Sequence, residues 1–220
     1  MDKSSITYSP NTTKESEVEI GRVLGVKARD GIQRYLGLPA FSLRKKRLQF
    51  RYLRDRMEKK VQTWSQRDFS AGGKEVLIKS VVQAVPIYAM QCFRLPDSIC
   101  DDMHRICAAF WWGDKENERH LHWKRWDKLC IPKDKGGMGF RDFKVFNKAL
   151  VAKQVWRMLT RPDSLVTRVF RAKYFKDGDL LNTPVPARAS YVWRSMAWSR
   201  EIIKDGMGWK MGNGHNICIF

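Results

Sequence analysis

A mainly α-helical fold, with short β-hairpins near the N-terminus and at the C-terminus, is what this 220-residue sequence predicts. Three observations lead there. Apolar residues recur at helical spacing through the middle of the chain, Gly and Pro interrupt those runs at their ends, and strand-like alternation is short and sits mostly near the two termini. Aromatic residues make up 12 % of the chain, nine of them Trp, which suits a packed globule and excludes a disordered tail. The length allows one domain or two small ones.

Lys3 to Ser9 alternates as a short strand, ended by Pro10-Asn11. Thr12 or Thr13 can cap a helix reaching about Leu24, with Glu15, Glu17 and Glu19 near its positive end and Gly25 placed to stop it. Tyr35-Leu36-Gly37-Leu38-Pro39 reads as a second strand able to pair with the first. From Leu43 to Trp64, Phe50, Leu53, Met57, Val61 and Trp64 share one helical face, while Arg44, Lys45, Arg47, Arg51, Arg54, Arg56, Lys59 and Lys60 occupy the others. Residues 41–60 carry nine basic and two acidic side chains, a net +7. Solvated faces usually mix signs for i,i+4 pairing; with only Asp55 and Glu58 to offer, this one reads as a helix that tracks phosphates.

Gly72 to Pro86 is the most hydrophobic helix candidate: seven of the ten residues from Val76 to Val85 are apolar, so a buried helix is expected, kinked or ended by Pro86. After Tyr88 to Leu95, Pro96-Asp97 starts a helix with an inner stripe of Ile99, Met103, Ile106, Cys107 and Phe110, stopped by Gly113. Residues 114–119 form a charged loop. Leu121 to Trp126 sets His122, Lys124 and Arg125 among tryptophans, a pattern open to base stacking, although tryptophans are more often core. His120, His122 and Cys130 can be imagined as zinc ligands, but His-Leu-His in an alternating strand favours packing. Pro132 to Gly139 is a flexible turn without the Gly-Lys-Ser/Thr ending of a phosphate loop. Helices follow over Phe143–Leu159, Ser164–Tyr174 and Tyr191–Ile203, Lys176 to Ala187 is a linker, and Met207 to Phe220 reads as a hairpin through Gly212-Asn213-Gly214.

With 42 Lys and Arg against 23 Asp and Glu, the formal net charge is +19, spread along the chain, and the natural partner is a polyanion. Five unpatterned cysteines suit a reducing compartment, and those of the helix before Gly113 read as small core hydrophobes. There is no apolar run of about 18 residues and no signal peptide, so an intracellular protein of nucleus or cytoplasm, away from membranes, is expected.

Seven motifs taken in order carry a resemblance: Tyr35-Leu36-Gly37-Leu38-Pro39; Ala71-Gly72 with Leu77 to Val81 and Ala84 to Tyr88; Phe110-Trp111-Trp112-Gly113; His122-Trp123 with Trp126 and Leu129 to Lys133; Gly136 to Asp142; Asn147 with Ala149-Leu150; and Ala152-Lys153-Gln154 with Trp156-Arg157. They resemble plant LINE-type (non-LTR) retrotransposon reverse transcriptases, over nearly the whole chain. The resemblance implies the end of the palm at 1–40, a helical thumb at 41–113, connector helices at 114–175, and at 176–220 a linker, helix and truncated hairpin before a zinc-binding and ribonuclease H region. Lys3-Ser4-Ser5 is similar to the segment after the family's catalytic Asp-Asp turn. The chain itself has no Tyr-x-Asp-Asp, and its one adjacent acid pair, Asp101-Asp102, matches no polymerase motif.

Two-metal nucleotidyl transfer needs carboxylates from separate strands, so the chain alone is not expected to act as an RNA-directed DNA polymerase; it carries no cofactor of its own, and magnesium would belong to the palm. What carries over from a thumb is a grip on RNA, DNA or RNA–DNA hybrid, with Lys3, Arg44, Lys45, Arg47, Arg51, Arg54, Lys74, Lys79, Lys124 and Arg125 as candidate contacts. Gly73 stands where the family commonly has Arg, which puts a contact at that turn in doubt. The alternatives are activity with a palm supplied elsewhere, or the product of a decayed element.

Overall fold

A computed structural model describes residues 6, 8, 11–25, 34–35, 37–39, 45–64, 67–114, 120–176 and 179–208. It is mainly helical, and its contacts divide the chain into two units, Met1–Lys45 and Lys46–Phe220.

In the first unit α1 spans Lys14–Leu24. Thr13 is its cap, accepting from the Ser16 N–H, and Gly25 ends it in the left-handed region. The Tyr8 hydroxyl donates to the Glu17 carbonyl at 2.8 Å. The expected strand over Tyr35–Pro39 is not a single strand: the chain reverses at Gly37, whose φ of 81° suits glycine. Two-residue strands β1 (Arg34–Tyr35) and β2 (Leu38–Pro39) face each other, Arg34 opposite Pro39 and Tyr35 opposite Leu38. Most of the expected partner, Lys3–Ser9, and most of the expected hairpin over Met207–Phe220 lie outside the described residues.

The second unit begins with α2, Lys46–Gln62, which buries Gln49, Phe50, Leu53 and Met57. The helix expected through Pro86 is shorter and less buried. α3 covers Ala71–Ser80, Val76 is 63 % exposed, and Ile78 alone is fully covered in that span. Proline has no N–H to return to the Val82 carbonyl, and its ring crowds the preceding turn. The backbone therefore tightens into a 3-10 turn at Val82–Ala84, with Ala84 N–H bonded to Val81 and Val85 N–H to Val82, before α4 starts at Ile87 and runs to Cys92. α5, Asp97–Trp112, ends at Gly113 as expected and packs chiefly on α2, with Ile99, Met103, Cys107 and Phe110 buried. Cys100 is buried too, and that burial pushes its thiol up to about 12, away from reactivity at neutral pH.

Residues 120–125 are irregular and form no strand; the His122 ring instead stacks on Trp112 and bonds to Asp114. After the single turn α6, Trp126–Leu129, the expected flexible turn is tightly bonded. Met138 and Phe140 N–H both return to the Leu129 carbonyl, and Gly139 N–H to Ile131. A Cβ on Gly137 would fall 1.8 Å from the Ile131 oxygen, so only glycine fits that crossing.

α7 (Phe143–Thr160), α8 (Leu165–Tyr174) and α9 (Tyr191–Gly206) complete the unit, α7 and α9 forming its most extensive pairing. Their core is Val151, Val155, Met158, Phe175, Leu180, Ala189, Trp193 and Met196, with Tyr174 and Phe175 stacked on Trp193 at 4.6 and 5.6 Å. The expected linker is anchored there: Leu180 is buried, Arg200 donates to the Thr183 carbonyl at 2.6 Å, and Lys204 to Asn182 at 2.6 Å. One buried apolar residue, Leu180, and the bonds to Thr183 and Asn182 hold a segment whose Gly and Pro content suggested freedom. Among the described residues no helix is long and apolar enough to cross a membrane.

Candidate nucleic-acid interface

The candidate cations fall into three groups, each set by its own element. On α2, Arg47, Arg51 and Arg54 border a groove of about 400 Å³ with Leu48, Ile99 and Asp102. Asp102 is nearly buried and is held by Arg105 at 2.6 Å and Arg47 at 3.4 Å. A carboxylate covered this far needs such partners, which makes Arg47 part of the α2–α5 joint. Arg51 lies 3.8 Å from Asp55, while Arg54 pairs with Glu58 at 2.9 Å and Asp55 at 3.7 Å. The Glu58 hydrogen bond, first, holds the Arg54 guanidinium further toward its charged form. The two acids that looked too few for this face are thus both engaged, and by Arg51 and Arg54.

Lys45, at the end of the first unit, is exposed, and so are Arg56, Lys59 and Lys60 of α2. Among the described residues Arg56, Lys59 and Lys60 have no carboxylate partner, and their i, i+3, i+4 spacing puts them on one stripe. Sequence reasoning placed them on the outer faces without choosing them as contacts. The signal was available, since Arg51 and Arg54 each have an acid four residues on and Arg56 has Lys60.

The second group is on α3. Lys74 donates to the Trp111 carbonyl at 3.3 Å, closing the C-terminal end of α5. Lys79 and Lys133 both contact one Glu75 oxygen at 2.7 Å, and those two ammonium groups lower the Glu75 carboxyl below its usual range. Lys79 also lies 5.6 Å from the centre of the Phe140 ring. In the third group Lys124 donates to the Gly136 carbonyl at 2.8 Å and Arg125 sits 3.3 Å from Asp127 while remaining 83 % exposed. Lys3 and Arg44 lie outside the described residues.

The tryptophans divide as well. Trp126 stacks on Phe140 at 4.8 Å, and Trp111 meets that ring edge-on at 5.3 Å. Trp123, between His122 and Lys124, is 80 % exposed and is an open stacking surface. Among the described residues no three His, Cys, Asp or Glu side chains converge on a metal-sized site.

Fold and surface together define a mainly helical, strongly cationic protein whose charge gathers in separate patches. No family model matches the chain. It is 42 % identical over 138 residues, 62 % of this chain and 90 % of the relative, to the Arabidopsis thaliana protein named "uncharacterized mitochondrial protein AtMg00310", and it belongs to that protein's family. It is also 31 % identical over 184 residues to the "putative ribonuclease H protein At1g65750" of the same plant, covering 82 % of this chain and 30 % of that much longer protein.

Proposed function

We propose that this chain is the nucleic-acid-binding thumb and connector portion of a plant LINE-type reverse transcriptase, gripping a template–primer duplex without a catalytic site of its own. The observation that carries the reading is the basic stripe of α2, where Arg56, Lys59 and Lys60 project without counter-charges beside the partly paired Arg51. Each phosphate met by such a group releases condensed counterions, which drives association whatever the base sequence. The ordered motifs of the resemblance support the family. The name of the second relative, a putative ribonuclease H protein, fits a chain that works on nucleic acid.

In this reading α2 lies along the duplex backbone, with α3 and α5 as the platform behind it. Lys45, Arg51 and Arg125 offer further exposed contacts, whereas Arg47, Arg54 and Lys79 must exchange a carboxylate for a phosphate to take part. Titration of a labelled RNA–DNA hybrid at 50 and 200 mM salt tests the reading. A protein making about six phosphate contacts should lose on the order of a thousandfold in affinity between those conditions. Absent or salt-independent binding contradicts it.

A further inference from the structure

Just past the C-terminal end of the α2 stripe, the ends of three helices line a cavity of about 290 Å³. Trp64 just beyond α2, Phe69 ahead of α3, and Phe110 and Trp112 at the end of α5 supply its aromatic walls. Trp64 and Phe110 meet with ring centres 5.9 Å apart, and Trp112 is held from behind by the stacked ring of His122 at 5.7 Å. His122 is in turn fixed by Asp114 at 2.9 Å.

The polar lining is mixed. Arg67 and Lys74 bring positive charge, and Asp68 and Asp114 bring acceptors. The cavity's volume lies near the lower bound of small-ligand pockets, roughly 300 Å³, so a single planar ring system suits it better than a large ligand.

We infer that this cavity takes one unpaired nucleobase, stacked against Trp112 and Trp64, with Arg67 and Lys74 placed for the phosphate of the same nucleotide. Aromatic walls, edge donors and acceptors, and adjacent cations are the three features that extruded or single-stranded bases use. The inference rests on the nucleic-acid reading above and adds to it: a strand end or a displaced nucleotide is recognised apart from the duplex.

The test compares three fluorescently labelled RNA–DNA hybrids on the whole chain: one blunt, one with a single unpaired adenosine at the 3′ end, and one with an abasic nucleotide there. The pocket predicts that the adenosine hybrid binds about tenfold more tightly than the abasic one, the scale of one base–aromatic stack. Trp112→Leu should erase that difference and leave the affinity for the blunt hybrid unchanged. If that variant fails to fold by circular dichroism, Trp64→Leu serves in its place. Equal affinity for the adenosine and abasic hybrids, with normal binding of the blunt one, overturns the pocket and leaves the duplex reading standing. Failure to bind any of the three overturns both.

Discussion

Asn147 shows how one side chain ties two helices. It is buried, its amide nitrogen donates to the carbonyls of Met90 and Phe93 at 2.9 and 2.8 Å, and its oxygen accepts from the Leu95 N–H at 2.8 Å. These are the groups left open where α4 ends, so the amide from α7 closes a helix terminus. Replacing it with Ala strands three backbone groups, two of them in buried bonds, and Asn147→Ala should cost about 3 kcal/mol. In a unit of this size that lowers the thermal midpoint by roughly 6–12 °C; a midpoint within about 2 °C of the parent would contradict the assignment.

His104 makes a related point about charge. Its Nε2 accepts the Phe143 N–H at 2.9 Å, which requires the neutral ring, and burial lowers its pKa from 6.5 despite the Asp142 carboxylate 3.8 Å away. The unfolded chain takes up this proton more readily than the folded one. Stability is therefore full above about pH 6.5 and falls as the pH drops below it. Thermal unfolding at pH 7.5 and 5.5 should show a drop that shrinks in His104→Gln; an identical drop in both proteins would assign the acid sensitivity elsewhere. Neither role was legible in the sequence, because Asn147 and His104 work through partners 39 to 57 residues away.

At the scale of elements, helix starts and stops were the most legible features. Pro96 and Gly113 bracket α5, Thr13 and Gly25 bracket α1, and the inner face of α2 follows from its spacing. Such signals are local, set by backbone geometry and a few capping atoms. The run after α3 was misread because composition gave burial and length together. Val76 is apolar yet exposed, and Pro86 acts several residues upstream of itself by tightening the turn before it. The 176–187 segment was misread in the opposite sense, since its anchors Leu180 and Thr183 are single residues whose partners lie on other elements. For the candidate interface, the sequence showed which helix is basic. It did not show that Arg47 is drawn to Asp102 on α5, which shifts the unpaired charge of α2 toward Arg56, Lys59 and Lys60.

Across the whole molecule, 42 basic side chains stand against 23 acidic ones, and among the described residues the pairing is uneven. Acids engage basic side chains at the α2–α5 joint, around Glu75 and between Lys144 and Asp101, while the α2 stripe is left open. The Lys144–Asp101 pair is at 2.7 Å, and the hydrogen bond that Lys144 donates to Asp101 holds Lys144 toward its charged form. Exposed pairs of this kind add little stability, so the distribution bears on partners more than on folding.

The most direct measurement of the central claim is the salt dependence of RNA–DNA hybrid binding for the parent protein and for the triple variant Arg56→Gln, Lys59→Gln, Lys60→Gln. Glutamine keeps the helix, and exposed substitutions of this kind change stability by no more than about 0.5 kcal/mol each. If the stripe contacts phosphates, the slope of log affinity against log salt should become shallower by about 2 to 3, with weaker binding at every salt concentration. An unchanged slope and affinity in a folded triple variant would contradict the account.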